Sequence, residues 1–447
     1  MTDIVSPLLA IERTVQERAK ALDLDMGVDD AADKLHRLVE EEVARWSTDH
    51  KRGLRSFDLA DPDLVIERAF RNLAGYGPLE PLLNDDDVWE VMINAPDNIF
   101  VKRHAGTSGY HDEVFHDDEH VIRTLTKVLD DSSTSHRKLD PTEGLQDAQL
   151  DNGARLHIVH GDISRGGHIM VNIRKFTGVA FSSLDELVDR DMFSSQVATF
   201  LAAAVRAQQT IVFAGAPGSG KTTLLSCCTA ELEPSLRVVI AEEVFEADVP
   251  LANVASMQTR AARAERPAVD LRRLVAGFLR MAPDVAIVGE VRDREALPLL
   301  LTLSSGVKGF TTIHAGSARQ ALTRLRFICQ LADTSSELPM SALNTLVSES
   351  IDIVVHCART SDGPRVTEVV AVEDLAGGAE STQFTITPLF SRERLDAPIE
   401  WTGQLPSRVG RALREAGIDP TDLLGPGPQA APGERQPSPA PDSPEDR

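Results

Sequence analysis

The residues with the most specific chemistry in this chain run from Gly215 to Thr223 and read Gly-Ala-Pro-Gly-Ser-Gly-Lys-Thr-Thr. Two glycines enclose four residues and Lys-Thr follows at once, which is the Walker A spacing of a loop that grips phosphate. Glycines let backbone N–H groups turn toward an anion with no Cβ in the way. Gly215, Gly218, Ser219 and Gly220 would build that cradle, with Thr223 beside it. Lys221 would reach the β and γ phosphates of ATP, and Thr222 would hold Mg²⁺.

Three further side chains could complete a hydrolytic site. Glu242 ends the apolar run 237–241, Glu290 ends the run 285–289, and His314 ends the run 310–313. Short apolar, β-branched runs read as buried strands, and in open α/β sheets ligands bind at the carboxyl ends of the strands. An acid placed there can hold Mg²⁺ through water or orient an attacking water. Thr222, Glu242 and Glu290 are therefore the expected metal-side oxygens, and Glu290, Glu242, Lys221 and His314 the expected catalytic group. An imidazole there can sense the γ phosphate. Each has a blander use, since strand-end acids also cap helices and a lone histidine is usually structural.

The flanking elements fit those roles. Residues 209–214 read as the strand before the loop, and 224–232 as the helix after it, closed by Pro234. Upstream, residues 1–70 carry apolar positions at helical spacing: Leu8, Ile11, Val15, Ala19 and Leu22, then Leu35, Leu38, Val39, Val43 and Trp46. Residues 71–175 read as a small mixed α/β domain. Its strands are expected at 88–94, 98–102 and 168–176, with a helix over 119–129 and a tight turn at Asp151-Asn152-Gly153. Residues 176–182 are a candidate hinge, 183–395 the nucleotide domain, 396–424 a short helical segment, and 425–447 a Pro-, Gly- and Ser-rich tail expected to be disordered. Ser183 and Glu186 form a candidate capping box.

Composition narrows the function. The chain has 447 residues, 42% of them hydrophobic, and a net charge of −23. No diffuse positive field would hold nucleic acid or bring the whole body to a membrane surface. Cys227, Cys228, Cys329 and Cys357 form no CxxC pair, so neither a zinc site nor a disulfide framework is expected. There is no signal-peptide pattern and no apolar run of about 18 residues. These features predict a cytoplasmic protein without a transmembrane segment.

Taken together, the boxes resemble the secretion ATPase superfamily of type II and type IV systems. The phosphate loop, Glu242-Glu243 after Ile240-Ala241, the segment 281–293 around Glu290, and Gly309-Phe310-Thr311-Thr312-Ile313-His314-Ala315 stand in that family's order. Gly75-Tyr76-Gly77-Pro78-Leu79, residues 147–155 and Ile173-Arg174-Lys175-Phe176 are similar to the front domain of its tight-adherence pilus branch, CpaF/TadA. The resemblance implies a RecA-like P-loop ATPase core behind a smaller α/β domain and a helical extension. It also implies a hexamer that hydrolyses ATP with Mg²⁺ and drives an inner-membrane platform protein from the inner face of the cell membrane. Arg155 and Arg174 would reach the nucleotide from the front domain, and Arg260 would act as an arginine finger; each could instead be a surface ion pair. Glu243 stands where the family has Asp, while Gln258 and Gln149 replace its Glu and Arg. The alternatives are a nucleic-acid-stimulated ATPase associated with conjugation, and a nucleotide-bound regulator without turnover.

Overall fold

The computed structural model describes residues 6–24, 30–104, 106–132, 138–175, 181–260, 262, 267–332, 338–375 and 383–425. All but Gly425 of the expected disordered tail, and most of the expected hinge, lie outside them. The chain divides into two compact units, Met1–Thr177 and Gly178–Arg447.

The first unit opens with α1 (Pro7–Ala21), α2 (Ala31–Lys51) and α3 (Pro62–Ala74). Ser6 and Asp61 cap the first and third, each accepting from a backbone N–H three residues on, with proline at the first helical position. Ile11, Val15, Leu35, Val39, Val43 and Trp46 close a core between the three helices, as their spacing requires. Then come α4 (Glu80–Asn84), β1 (Val88–Ala95), β2 (Asn98–Arg103), β3 (Gly109–Tyr110), α5 (Asp118–Asp130), β4 (Leu145–Gln149), β5 (Arg155–Val159) and β6 (Met170–Arg174). The sheet is antiparallel, in the order β3-β2-β1-β6-β5-β4. Asp151-Asn152-Gly153 makes the β4–β5 turn, and Gly153 takes the positive φ of +83° that it needs.

The last strand starts two residues later than the sequence suggests. His168 and Ile169 bind the Asp118 carboxylate at the start of α5 in place of the ladder. A buried polar network also links helices to this sheet region. Glu12 on α1 accepts from Asn72 on α3 at 2.7 Å and meets His116 Nε2 at 2.8 Å, and His116 stacks on His120 of α5.

The second unit begins with α6 (Leu184–Asp189) and α7 (Ser195–Arg206). Ser183 caps α6, while Glu186 reaches back to Ser182 and not to Ser183. There follow β7 (Ile211–Gly215), α8 (Lys221–Thr229), β8 (Val238–Glu242), β9 (Val254–Gln258), α9 (Leu271–Val275), β10 (Val285–Val291), α10 (Ala296–Ser304), β11 (Lys308–Ile313), α11 (Ala318–Ala332) and α12 (Met340–Ser350). The chain ends with β12 (Ile353–Thr360), β13 (Gly363–Val372), β14 (Ile386–Ser391), β15 (Glu400–Trp401), α13 (Ser407–Glu415) and α14 (Pro420–Leu424).

Nine strands form one sheet in the order β15-β14-β13-β12-β7-β11-β10-β8-β9. From β12 to β9 every neighbour is parallel, and β13 to β15 continue as an antiparallel meander. Helices cover both faces, so the central strands are apolar throughout. Ile211 and Phe213 of β7 face one core, and Val212 and Ala214 face the other. This is the mixed α/β, RecA-like architecture expected from the motif order. The helix after the loop starts and ends three residues earlier than its apolar pattern suggests, since it begins at Lys221 and after Thr229 the chain tightens into three-residue turns at Glu231 and Leu232. Val409, Leu413 and Leu424 of α13 and α14 are fully part of the first core, beside α7.

Candidate functional site

The site is built at the carboxyl ends of β7, β11, β10 and β8. β7 delivers Gly215, whose φ is +151°, so close to β12 that a Cβ would lie 2.2 Å from the Cys357 carbonyl oxygen. Gly218 and Gly220 also have positive φ, +71° and +85°, so the glycines of the loop are required by its path. Ser219 is wholly buried and its hydroxyl has no protein partner. An unpaired buried hydroxyl in a glycine-lined turn suits a ligand rich in acceptor oxygens. Thr222 and Thr223 occupy the first turn of α8, both half-buried.

Lys221, the first residue of α8, is 6% exposed. Its ammonium donates to the Ala216 carbonyl at 2.9 Å and lies 3.3 Å from His314 Nδ1. His314 follows β11, which pairs in parallel with both β7 and β10. Its Nδ1 is 3.1 Å from the Gly215 carbonyl and its Nε2 is 2.9 Å from Glu290 Oε1. Lysine, histidine and glutamate therefore form one continuous polar chain from the phosphate loop to β10.

Glu290 is held from its other side by Arg292, with Nε 2.7 Å from Oε1 and Nη2 2.8 Å from Oε2. Burial raises the Glu290 pKa, but the hydrogen bonds from His314 and Arg292 outweigh it and hold the carboxyl at about 2. The carboxyl is thereby held below the usual carboxylate range. Arg292 also donates to Glu243 at 2.7 Å, so the second acid of that pair serves the arginine. Glu242 is 2% exposed, and its Oε1 accepts from the backbone N–H groups of Glu246 and Ala247 at 3.1 and 2.9 Å. Gly289 makes room for it, since a Cβ there would stand 2.8 Å from Glu242 Cγ.

With this arrangement in place, comparison with known proteins is decisive. Residues 72–380 match the model of the type II/IV secretion system protein family. The chain belongs to that family. Among its relatives, the conjugal transfer protein TrbB of Rhizobium radiobacter is 33% identical over 231 residues, spanning 48% of this chain and 68% of TrbB. The type IV secretion system protein VirB11 of Bartonella quintana is 27% identical over 326 residues, 65% of this chain and 90% of that protein. The crystal structure of the VirB11 ATPase of Brucella suis is 26% identical, with a TM-score of 0.35 over 65% of this chain and 94% of that one.

The other expected residues of this secretion ATPase lie on other elements. Arg155 and Arg174 stand opposite each other on β5 and β6 of the first unit. Arg260 bridges to Val269 and donates to the Pro267 carbonyl at 3.2 Å, on an exposed stretch outside the Lys221 cluster. Several contributors were not foreseen. Arg292 lies just past the end of β10, two residues after Glu290, within the segment 281–293. Arg359 of β12, which donates to the Gly218 carbonyl at 3.1 Å, gave no signal in the sequence. The same holds for His356, whose ring reaches Thr367 Oγ1 and the Ala315 carbonyl and so braces the chain just after His314.

Proposed function

We propose that this family member is an ATP-hydrolysing motor subunit that works as a homohexamer on a pilus-assembly, secretion or conjugation machine. One observation carries the reading: Lys221, His314 and Glu290 touch in sequence at adjacent strand ends beside a glycine loop. Lys221 neutralises phosphate charge. Glu290, kept anionic, accepts a hydrogen bond from the attacking water and aligns it with the γ phosphorus. As that bond forms, the bond to the leaving ADP oxygen breaks, the water's proton passes to an oxygen of the transferred phosphoryl group, and Lys221 offsets the charge that collects on ADP. His314 links the two residues, so departure of the phosphate is felt at both.

Mg²⁺ would spread the charge of the β and γ phosphates. Thr222, Glu242 and Glu290 offer the oxygen donors that such a hard cation prefers. Among the described residues no three His, Cys, Asp or Glu side chains are preset as a metal cage, so the cation fits as a companion of the nucleotide. Arg260 is proposed as the arginine finger.

The front-domain segments 75–79, 147–155 and 173–176 favour the tight-adherence (CpaF/TadA) branch, with an inner-membrane platform protein as partner on the cytoplasmic side. The name of the relative TrbB favours a second reading, conjugal transfer. No helix among the described residues is long and apolar enough to cross a membrane, in keeping with a peripheral position. ATP turnover by the purified chain tests the motor reading, with Lys221→Ala as control. A folded Lys221→Ala variant with unchanged turnover would overturn the assigned site. Turnover that rises steeply with added DNA would favour conjugation. A strict monomer with ATP in sedimentation would remove the ring.

A further inference from the structure

We infer that the turn after α2, Lys51 to Phe57, is a membrane-surface contact that inserts Leu54 and Phe57 between anionic lipid headgroups. Leu54 is 71% exposed and Phe57 58% exposed. Between and beside them lie Lys51, Arg52 and Arg55, with no acid in the stretch Lys-Arg-Gly-Leu-Arg-Ser-Phe. The whole chain carries 69 acids against 46 lysines and arginines, so a purely basic stretch stands against the general trend. The flanking acids are Asp49 and Asp58, and Asp58 is paired with His50 at 3.5 Å.

The turn is built rigidly. Gly53, at φ +76°, ends α2; its N–H donates to the His50 carbonyl at 2.8 Å, and the Leu54 N–H donates to the Asp49 carbonyl at 2.9 Å. In this helix ending, the apolar residue after the glycine commonly packs back on the third residue from the end. Here that residue is Asp49, which offers no apolar surface, and Leu54 points to solvent. Trp46 fixes the rest: its indole donates to the Phe57 carbonyl at 3.0 Å, and the Arg55 guanidinium lies 4.2 Å above its ring. Two apolar tips and two exposed cations, Lys51 and Arg52, thus share one short turn that the half-buried Arg55 ties to Trp46, with little entropy left to lose on docking. Charge complementarity selects an anionic bilayer as the occupant, because apolar tips enter the acyl boundary while lysine and arginine stay at the headgroups.

The inference goes beyond the motor reading and does not depend on it. The test is sedimentation of the full chain with vesicles of phosphatidylcholine, alone or mixed with phosphatidylserine. Wild type is expected to sediment with the mixed vesicles only, and less as salt rises. The Leu54→Ser/Phe57→Ser double variant is expected to lose about tenfold or more in partitioning. Lys51→Gln and Arg52→Gln are each expected to lose roughly fivefold. Emission from Leu54→Trp is expected to shift to the blue on mixed vesicles. No preference for phosphatidylserine, variants that bind like wild type, or an unshifted Leu54→Trp signal would each overturn the assignment and leave the turn to a protein partner. ATP turnover without lipid, measured on the same variants, is expected to be unchanged, which separates failure here from failure of the motor reading.

Discussion

Glu290 and His314 meet across two neighbouring parallel strands, with Oε1 2.9 Å from Nε2. That contact couples the acid proposed to align the water to the histidine that stands 3.3 Å from the Lys221 ammonium. Glu290→Gln keeps the shape and removes the charge. It is expected to bind ATP as wild type does and to slow turnover by about a hundredfold or more. Nucleotide binding by equilibrium dialysis together with steady-state turnover checks this, and wild-type turnover would reassign the role of the acid.

Arg292 helps His314 to hold the Glu290 carboxyl below its ordinary range. Removing it in Arg292→Ala takes away one hydrogen bond and one positive charge that lower the pKa, and leaves burial, which raises it, opposed by His314 alone. The Glu290 pKa must then climb from about 2. The acid limb of the pH–rate profile is expected to move to higher pH in Arg292→Ala, while the alkaline limb stays in place. An acid limb that does not move would show that Arg292 leaves the carboxyl untouched in the working enzyme.

Gly289 is expected to tolerate nothing larger. The added Cβ of Gly289→Ala would press on Glu242 Cγ at 2.8 Å. Glu242 cannot yield easily, because two backbone N–H groups hold its carboxylate. A loss of about 1–3 kcal/mol is expected in denaturant titration. Turnover should fall as well, and an unperturbed variant would show that Glu242 has room to move.

These residues differ in how far the sequence reveals them. Lys221, Glu290 and His314 each follow an apolar run, so type and position together expose them. Glu242 was legible as a strand-end acid, but its fit against Gly289 was not, since that depends on β8 lying next to β10. Arg359, His356 and the Cys357 carbonyl depend on β12 lying beside β7, far away in the chain, and no local pattern encodes that neighbourhood. The β13–β15 meander was missed for a related reason. Its inward residues feed the same two cores as the parallel strands and leave no separate signature.

His120 gives the first unit a pH dependence of its own. Burial, then the neighbouring His116, lowers its pKa from 6.5 to about 4. The unfolded chain therefore binds a proton that the folded chain refuses. Stability is full above pH 6.5, falls as pH drops toward 4, and levels off below that. The cost is about 3 kcal/mol across this window. His120→Asn is expected to flatten this part of the stability curve in thermal melts at successive pH values, and an unchanged slope would assign it to other groups.

The contribution of α13 and α14 to the central core has a consequence for synthesis. Val409, Leu413 and Leu424 pack into the same apolar core as Ile211 and Phe213 of the loop-bearing strand β7. A nascent chain thus carries its nucleotide loop out of the ribosome long before the hydrophobic seal behind it exists. The core behind the loop can be completed only after α13 and α14 have been made.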